Sequence, residues 1–422
     1  MKVFKFGGAS INSIERIQHV ANILQSYSGE QILVIISAMG KTTNALEEVA
    51  IAFFDDKREE ALQLFDAIKK VHNEVATNLN VTEAAANIIN DIYTEVEWLL
   101  YDKPVREYDY YYDQIVCSGE LLSTAIVSCY LNSIGTTNNW LDVRDIFRTD
   151  DNFRDASIDW TFTQQRVSDV IVPLFSSTNI ILTQGFIGAT DENESTTLGR
   201  EGSDYSAAIF ANMLDAENQT IWKDVEGVMN ADPKKFNDAV FISELSYDEV
   251  IEMAYYGAQV IHPKTIKPLQ NKGIPLHVRC FLKPDLNGTI ISNQPVHNLP
   301  PIIVVKENQV LMQMSSKDFS FIGETGVQSL YKLFTENKIS PNITQSGAIT
   351  MWCGFDNKPN RIEKLALAAS ELFDVAVEKG ILLLTIRHYN DAIVKKLIKD
   401  KQPLLLQKNK ETIQILMVAD KI

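Results

Sequence analysis

Two stretches of this 422-residue chain bring together residue types that hold anions. The first is KFGGAS, Lys5–Ser10, where a lysine is followed at once by Gly7 and Gly8, so a cation and bare backbone amides share one turn. The second runs from Thr196 to Leu214, TTLGREGSDYSAAIFANML. There Gly199 and Gly202 flank Arg200 and Glu201, which lets the backbone approach a ligand, and Ser203 and Asp204 are good helix-capping residues. A helix over Tyr205–Leu214, apolar or small at nearly every position, would begin with unpaired N–H groups and the positive end of its dipole. Anions bind at such ends. A strand then ends in charge at Lys223 and Asp224. Taken singly, a lysine beside two glycines is ordinary surface, and a glycine loop before a helix is ordinary turn chemistry. KFGGAS also lacks the spacing and the following hydroxyl of a Walker A loop.

The elements that must position these groups read as strand, turn and helix units. Met1–Phe6 is a strand feeding the glycine turn, followed by a helix over Ile14–Gln25 with Ser13 as its cap. Gln31–Ser37 is a continuous apolar run, as in a parallel strand covered on both faces, and it leads into Ser37-Ala38-Met39-Gly40. Ligands of open α/β sheets bind outside strand carboxyl ends, so both loops should face one crevice. From Asn44 to Tyr101 the apolar spacing is helical and predicts two or three long helices, an insertion over residues 44–112. The tyrosine-rich KPVREYDYYYDQ is expected as a loop, and QIVCSGELLSTAIVSCYLNSIG as a helix with Glu120 early in it. Strands are expected at Trp140–Val143, Val170–Phe175, Ile180–Gln184, Thr220–Lys223 and in IPLHVRCF, with a helix over SYDEVIEMAYYGAQ.

KFGGAS, LGREGSDYSAA and WKDVEGVMNADPK, in this order, resemble the amino-acid kinase superfamily, and within it the aspartokinases. The resemblance covers residues 1–293 as an ordered set of motifs and the remainder more weakly. It implies an α/β sandwich with a mainly parallel central sheet, followed by a smaller α+β, ACT-like region. It also implies transfer of the ATP γ-phosphoryl group to the β-carboxylate of L-aspartate, with Mg2+ held through the ATP phosphates and no protein metal ligand. Such a transfer is mostly positioning and charge stabilisation. By resemblance, Lys5 with Gly7, Gly8 and Ser10 meets the phosphates, and Asp204 orients the lysine and the metal. Arg200 grips the acceptor's carboxylates, Glu120 meets its ammonium, and Ser37, Thr43 and Ser203 line the space between. Opposite fixed charges of this kind suit an acceptor that carries one ammonium and two carboxylates.

The adenine side departs from the family pattern. Asp224 keeps the usual aspartate, but Lys223, Met229, Lys234 and Gln259 stand where a threonine, tyrosine, arginine and lysine are usual. Two rival functions follow: an amino-acid kinase acting on another carboxylate such as glutamate, and a catalytically weak paralogue that binds amino acids and regulates a partner.

At 45% hydrophobic, the chain can bury one large core and a second, smaller one. The net charge of −16 argues against nucleic acid or an anionic membrane surface as partner. Four cysteines lie far apart, the first residues read as a strand and not an apolar leader, and no run approaches the roughly 20 apolar residues of a membrane span. A cytoplasmic protein with reduced thiols is expected. Gln294–Pro301 (QPVHNLPP) reads as a linker. Residues 302–422 then alternate strands and helices in a way that resembles paired ACT modules, the second short of a complete set. In ISPNITQSGAIT, the positions at which lysine- or threonine-sensitive relatives usually carry an aspartate and a glutamate are Asn342 and Gly347. The resemblance therefore implies weak or absent inhibition by lysine, and a region that serves mainly to form a homodimer.

Overall fold

The apolar run Ile32–Ile36 is buried at all five positions, as a strand covered on both faces must be. In the computed structural model, which describes residues 1–399 and 401–419, this strand belongs to an eight-stranded sheet. The order across that sheet is Glu244–Ser246, Thr289–Ser292, Leu276–Cys280, Asn218–Lys223, Lys2–Phe6, Ile32–Ile36, Ile180–Gln184 and Asn139–Leu141. Neighbours are parallel except for the pair Leu276–Cys280 and Thr289–Ser292. The register sets the central strand ends level: Phe6 lies opposite both Ile36 and Trp222, and Ile36 lies opposite Gln184. The loops that leave those ends therefore emerge along one edge.

The described residues group into two compact units. The sheet belongs to the first, made of Met1–Val228, Ser243–Ile251 and Ile261–Pro295. The second is made of Met229–Ile242, Glu252–Val260 and the described residues from Val296 onward. Within the first unit, helix Ile14–Ser26 is capped by Ser13, whose hydroxyl accepts from Arg16 N. Three helices, Thr42–Phe54, Arg58–Asn78 and Thr82–Tyr101, fill the stretch after the second strand.

Three local expectations are corrected. The tyrosine-rich segment forms a helix over Tyr108–Val116, because its rings find partners: Tyr111 packs edge-on against Phe53, and Tyr108 against Phe54. Val170–Phe175 is helical, not extended. Thr163, Val167, Ile171 and Phe175 are buried at a spacing of four, so helical period overrides the β-branched composition. Ser203 and Asp204 do not cap the helix after the glycine loop. That helix spans Gly202–Met213 and is entered through Glu201 in the left-handed conformation (φ 56°), which leaves both residues in its first turn. The consecutive helices from Tyr108 to Ser133 are apolar and long enough to cross a membrane by length and composition, but most of their residues are buried inside the fold.

The second unit holds a six-stranded antiparallel sheet in the order Ile343–Ser346, Thr350–Asp356, Ile302–Ser316, Phe373–Arg387, Thr412–Val418, Pro403–Lys408. Its two central strands are fifteen residues each and pair along their whole length, with a bulge between Lys306 and Gln309. Helices Gly323–Glu336 and Pro359–Ser370 cover one half through Leu330, Phe334, Ile362 and Leu365. Helix Asp391–Leu397 covers the other half. Of the region expected over residues 302–422, residues 400 and 420–422 lie outside the described residues.

Candidate active site

The glycine turn, the Ser37–Gly40 loop and the glycine-loop helix meet at the level strand ends because three glycines leave no room for a side chain. A Cβ on Gly8 would lie 2.4 Å from Ala38 O and 3.1 Å from Gly40 O, and the amide of Gly40 donates to Gly8 O at 3.0 Å. A Cβ on Gly185, just past the strand Ile180–Gln184, would lie 2.7 Å from Ser203 Cα. A Cβ on Gly119 would meet Ala38 Cβ at 3.1 Å. Strand ends, loops and two helix starts are thus brought into direct contact.

At the centre stands the ion pair of Lys5 Nζ with Asp204 Oδ1, 2.7 Å long, the side chains only 13% and 5% exposed. Burial alone would raise the Asp204 carboxyl, but the charges of Lys5 and Lys223 and the Lys5 hydrogen bond outweigh it and hold the group below the ordinary carboxylate range. Asp204 is therefore an anion at neutral pH. Lys5 Nζ lies over Gly7, 3.4 Å from where a Cβ would be. Ser10 is buried in the turn, its amide donating to Gly7 O.

Glu120 lies in the first turn of helix Ser118–Ser133 and is 2% exposed. Its Oε1 accepts from Ala38 N at 3.2 Å, while Oε2 is buried without a hydrogen-bond partner. Burial pushes this carboxyl up to about 8, although the Ala38 amide, its own backbone amide and the Lys5 charge all pull the other way. A buried carboxylate oxygen with no partner is costly unless a cation or donor arrives. Ser37 is half-buried, and its carbonyl accepts from Ser123 Oγ at 2.8 Å. Thr43 is half-buried in the first turn of Thr42–Phe54, and Ser203 is buried beside Asp204. Arg200 is exposed in the glycine loop, with no side-chain partner among the described residues.

On the other side of Lys5, Lys223 is half-buried and Asp224 is ion-paired with Arg16 at 3.0 Å. Met229, Lys234 and Gln259 belong to the second unit, where Met229 is half-buried and the other two are exposed.

Sequence reasoning missed two residues that brace this site. Asp113, fully buried, accepts from Thr197 N, Thr197 Oγ1 and Arg154 N at 2.8, 2.7 and 2.9 Å, so it fixes the strand that runs into the glycine loop. The signal was an aspartate set between a tyrosine run and the apolar helix. Arg16 was the other, and its signal was a cation in the first turn of a helix, the end where the dipole disfavours it.

The sheet, the level edge and the paired glycine loops define a class. The sequence model of the amino acid kinase family matches residues 1–280, and the chain belongs to that family. Within it, the chain is 30% identical over 397 residues to aspartokinase 2, chloroplastic, of Arabidopsis thaliana, covering 89% of this chain and 71% of the relative. It belongs to the aspartokinase family. Its structure also matches E. coli aspartokinase III solved with aspartate and ADP, at TM-score 0.82 and 26% identity over 99% of this chain and 96% of the other. The same enzyme solved with lysine and aspartate matches at TM-score 0.83 and 25% identity, covering 99% and 95%. A bifunctional aspartokinase/homoserine dehydrogenase 1, chloroplastic, of Zea mays is 33% identical over 304 residues, 70% of this chain. The chain spans about a third (32%) of that relative's length.

Proposed function

We propose that this protein is an aspartate kinase, transferring the ATP γ-phosphoryl group to the β-carboxylate of L-aspartate to give 4-phospho-L-aspartate, a first step of lysine, threonine and methionine biosynthesis. The observation that carries the reading is the pairing of two unlike centres on one edge. Lys5 and Asp204 form a buried, ionised pair over a glycine turn, and Glu120 presents a buried, unpartnered oxygen from the first turn of helix Ser118–Ser133. The first suits a transferring phosphoryl group and the second an ammonium.

In this reading the amides of Gly7 and Gly8 and the Lys5 ammonium hold the phosphoryl oxygens, and Asp204 keeps Lys5 in place. Glu120 takes the aspartate ammonium while Arg200 takes its carboxylates, with Ser37, Thr43 and Ser203 between them. The attacking β-carboxylate oxygen is thereby aimed at phosphorus, and its product is an acyl phosphate that water must not reach. Mg2+ held through the ATP phosphates would supply neutralisation of the polyphosphate charge when bound. Lys223 and Asp224 lie on the nucleotide side. Met229, Lys234 and Gln259 belong to the second unit. That unit acts as an ACT-like homodimerisation region. The four free cysteines suit a reducing interior, which we take to be cytoplasmic.

The test is hydroxylamine trapping with ATP, Mg2+ and a panel of acidic amino acids. L-aspartate should give the hydroxamate, and a strong preference for glutamate would overturn the substrate. Nucleotide binding without any product would instead identify a regulatory paralogue.

A further inference from the structure

The nucleotide half of the site contains a junction in which Asp224 is joined by a residue that none of these roles uses, Arg16. Arg16 Nη1 serves two strand ends at once, donating to Ala9 O in the glycine turn at 2.7 Å and to Asp224 Oδ1 and Oδ2 at 3.0 and 3.2 Å. Its guanidinium lies over the ring of Phe281, 5.6 Å from the centroid, and the amide of Phe281 donates to Lys223 O at 2.7 Å. His19, one turn along the same helix, meets Phe281 O through Nε2 at 2.7 Å. One cation therefore ties the turn after Lys2–Phe6 to the end of the adjacent strand Asn218–Lys223, and the ring beneath it is fixed to that strand. Without Arg16, the Asp224 carboxylate would stand as an unpaired anion next to the edge at which Lys5 and Lys223 gather positive charge. A polyphosphate would be repelled there.

We propose that Arg16 is a positioning residue for the nucleotide: it neutralises Asp224 and holds the Gly7–Ser10 turn in register with the Lys223–Asp224 strand end, so that a nucleoside triphosphate meets both in one fixed arrangement. This rests on the reading that the edge binds ATP. A lysine would not replace it fully, because a point-like ammonium cannot stack on Phe281 as a planar guanidinium does while serving both acceptors.

Arg16→Ala, Arg16→Lys, Asp224→Ala and the double variant Arg16→Ala/Asp224→Ala are titrated with MgADP by calorimetry and assayed at varied ATP and aspartate. Arg16→Ala should weaken MgADP binding on the order of tenfold and raise KM for ATP to match, with KM for aspartate within about twofold. Arg16→Lys should recover only part of the loss. The double variant should bind MgADP no more weakly than the weaker single variant, since both act through one pair. Unchanged MgADP affinity in Arg16→Ala, additive losses in the double variant, or a parallel rise in the KM for aspartate would each overturn the proposal. If Arg16→Ala does not fold, Arg16→Lys and Asp224→Asn make the same comparison. Wild-type protein that binds no MgADP would overturn the kinase reading itself, whereas wild-type binding that Arg16→Ala leaves intact would overturn only the role of Arg16.

Discussion

With Glu120 taking the aspartate ammonium as proposed, aspartate binding should release a proton. Its carboxyl lies at about 8 where 4.5 is ordinary, with burial as the dominant cause. At about 1.4 kcal/mol per pH unit, ionising it in the empty site costs roughly 5 kcal/mol more than in water. An arriving ammonium needs the ionised form, because a protonated carboxyl offers a neutral acceptor and leaves the incoming charge unbalanced. The sign follows from the raised value: below pH 8 the empty site holds the proton, and binding must expel it. The binding-competent fraction is about one in ten at pH 7 and about one in a hundred at pH 6. KM for aspartate should therefore rise by about tenfold per unit as pH falls from 7 to 6, while KM for ATP stays level. Glu120→Gln should bind aspartate weakly and show no such slope. Initial rates of ADP formation at constant ionic strength measure the slope, and calorimetry in two buffers of unlike ionisation heat should show close to one proton released per aspartate at pH 7. A wild-type KM that stays flat from pH 6 to 8, or a slope that survives in Glu120→Gln, would refute this reasoning.

Lys5→Ala should lower kcat by about 10²–10³-fold, as the loss of one preorganised phosphoryl-stabilising charge does, while Arg200→Ala should raise KM for aspartate by more than about tenfold. If Arg200→Ala moved only the KM for ATP, that residue would belong to the other half of the site. Gly8→Ala drives a Cβ against two backbone carbonyls and should cost about 1–3 kcal/mol in calorimetric stability along with kcat; an unchanged Tm would contradict the close approach of the two loops. Burial raises the Asp113 carboxyl to about 6 against the hydrogen bonds of Arg154 and Thr197, so below that pH it protonates and gives up at least one of its three donors. At saturating aspartate, kcat should fall on that acid limb, and Asp113→Asn should remove the limb; an identical profile in the variant would clear Asp113 of the role. Lysine should inhibit weakly or not at all: Asn342 is already engaged by Lys306 at 2.8 Å, Gln309 at 2.8 Å and Asp356 at 2.9 Å, and Gly347 offers no side chain. Half-inhibition below millimolar lysine in initial rates would refute it.

The strands that carry the site were legible because apolar runs such as Ile32–Ile36 admit few other readings, and the glycine turns were legible because only glycine tolerates such approach. What the sequence concealed depended on distant partners. Asp113 looks like a surface aspartate until the strand Ser195–Thr197 is brought to it, and nothing near Arg16 in sequence points to Asp224, 208 residues away. The same holds for local structure. Tyr108–Val116 is helical because of rings on Phe53 and Phe54, and Val167–Phe175 because its buried positions recur every four residues on a surface that composition cannot reveal. At Glu120 the residue type announced a charge, but its raised proton affinity comes from enclosure, which only the folded loop around Ala38 supplies.

The two fifteen-residue strands Ile302–Ser316 and Phe373–Arg387 have a consequence for inheritance. Each runs unbroken through both halves of its sheet, so neither half owns a complete strand set of its own. Separating the two halves would require breaking both central strands, each at its own place in the sequence, and would expose the pairing edges of each fragment. An exchange of one half therefore needs two crossovers, one in each central strand, whereas a point substitution acts on the shared scaffold as it stands.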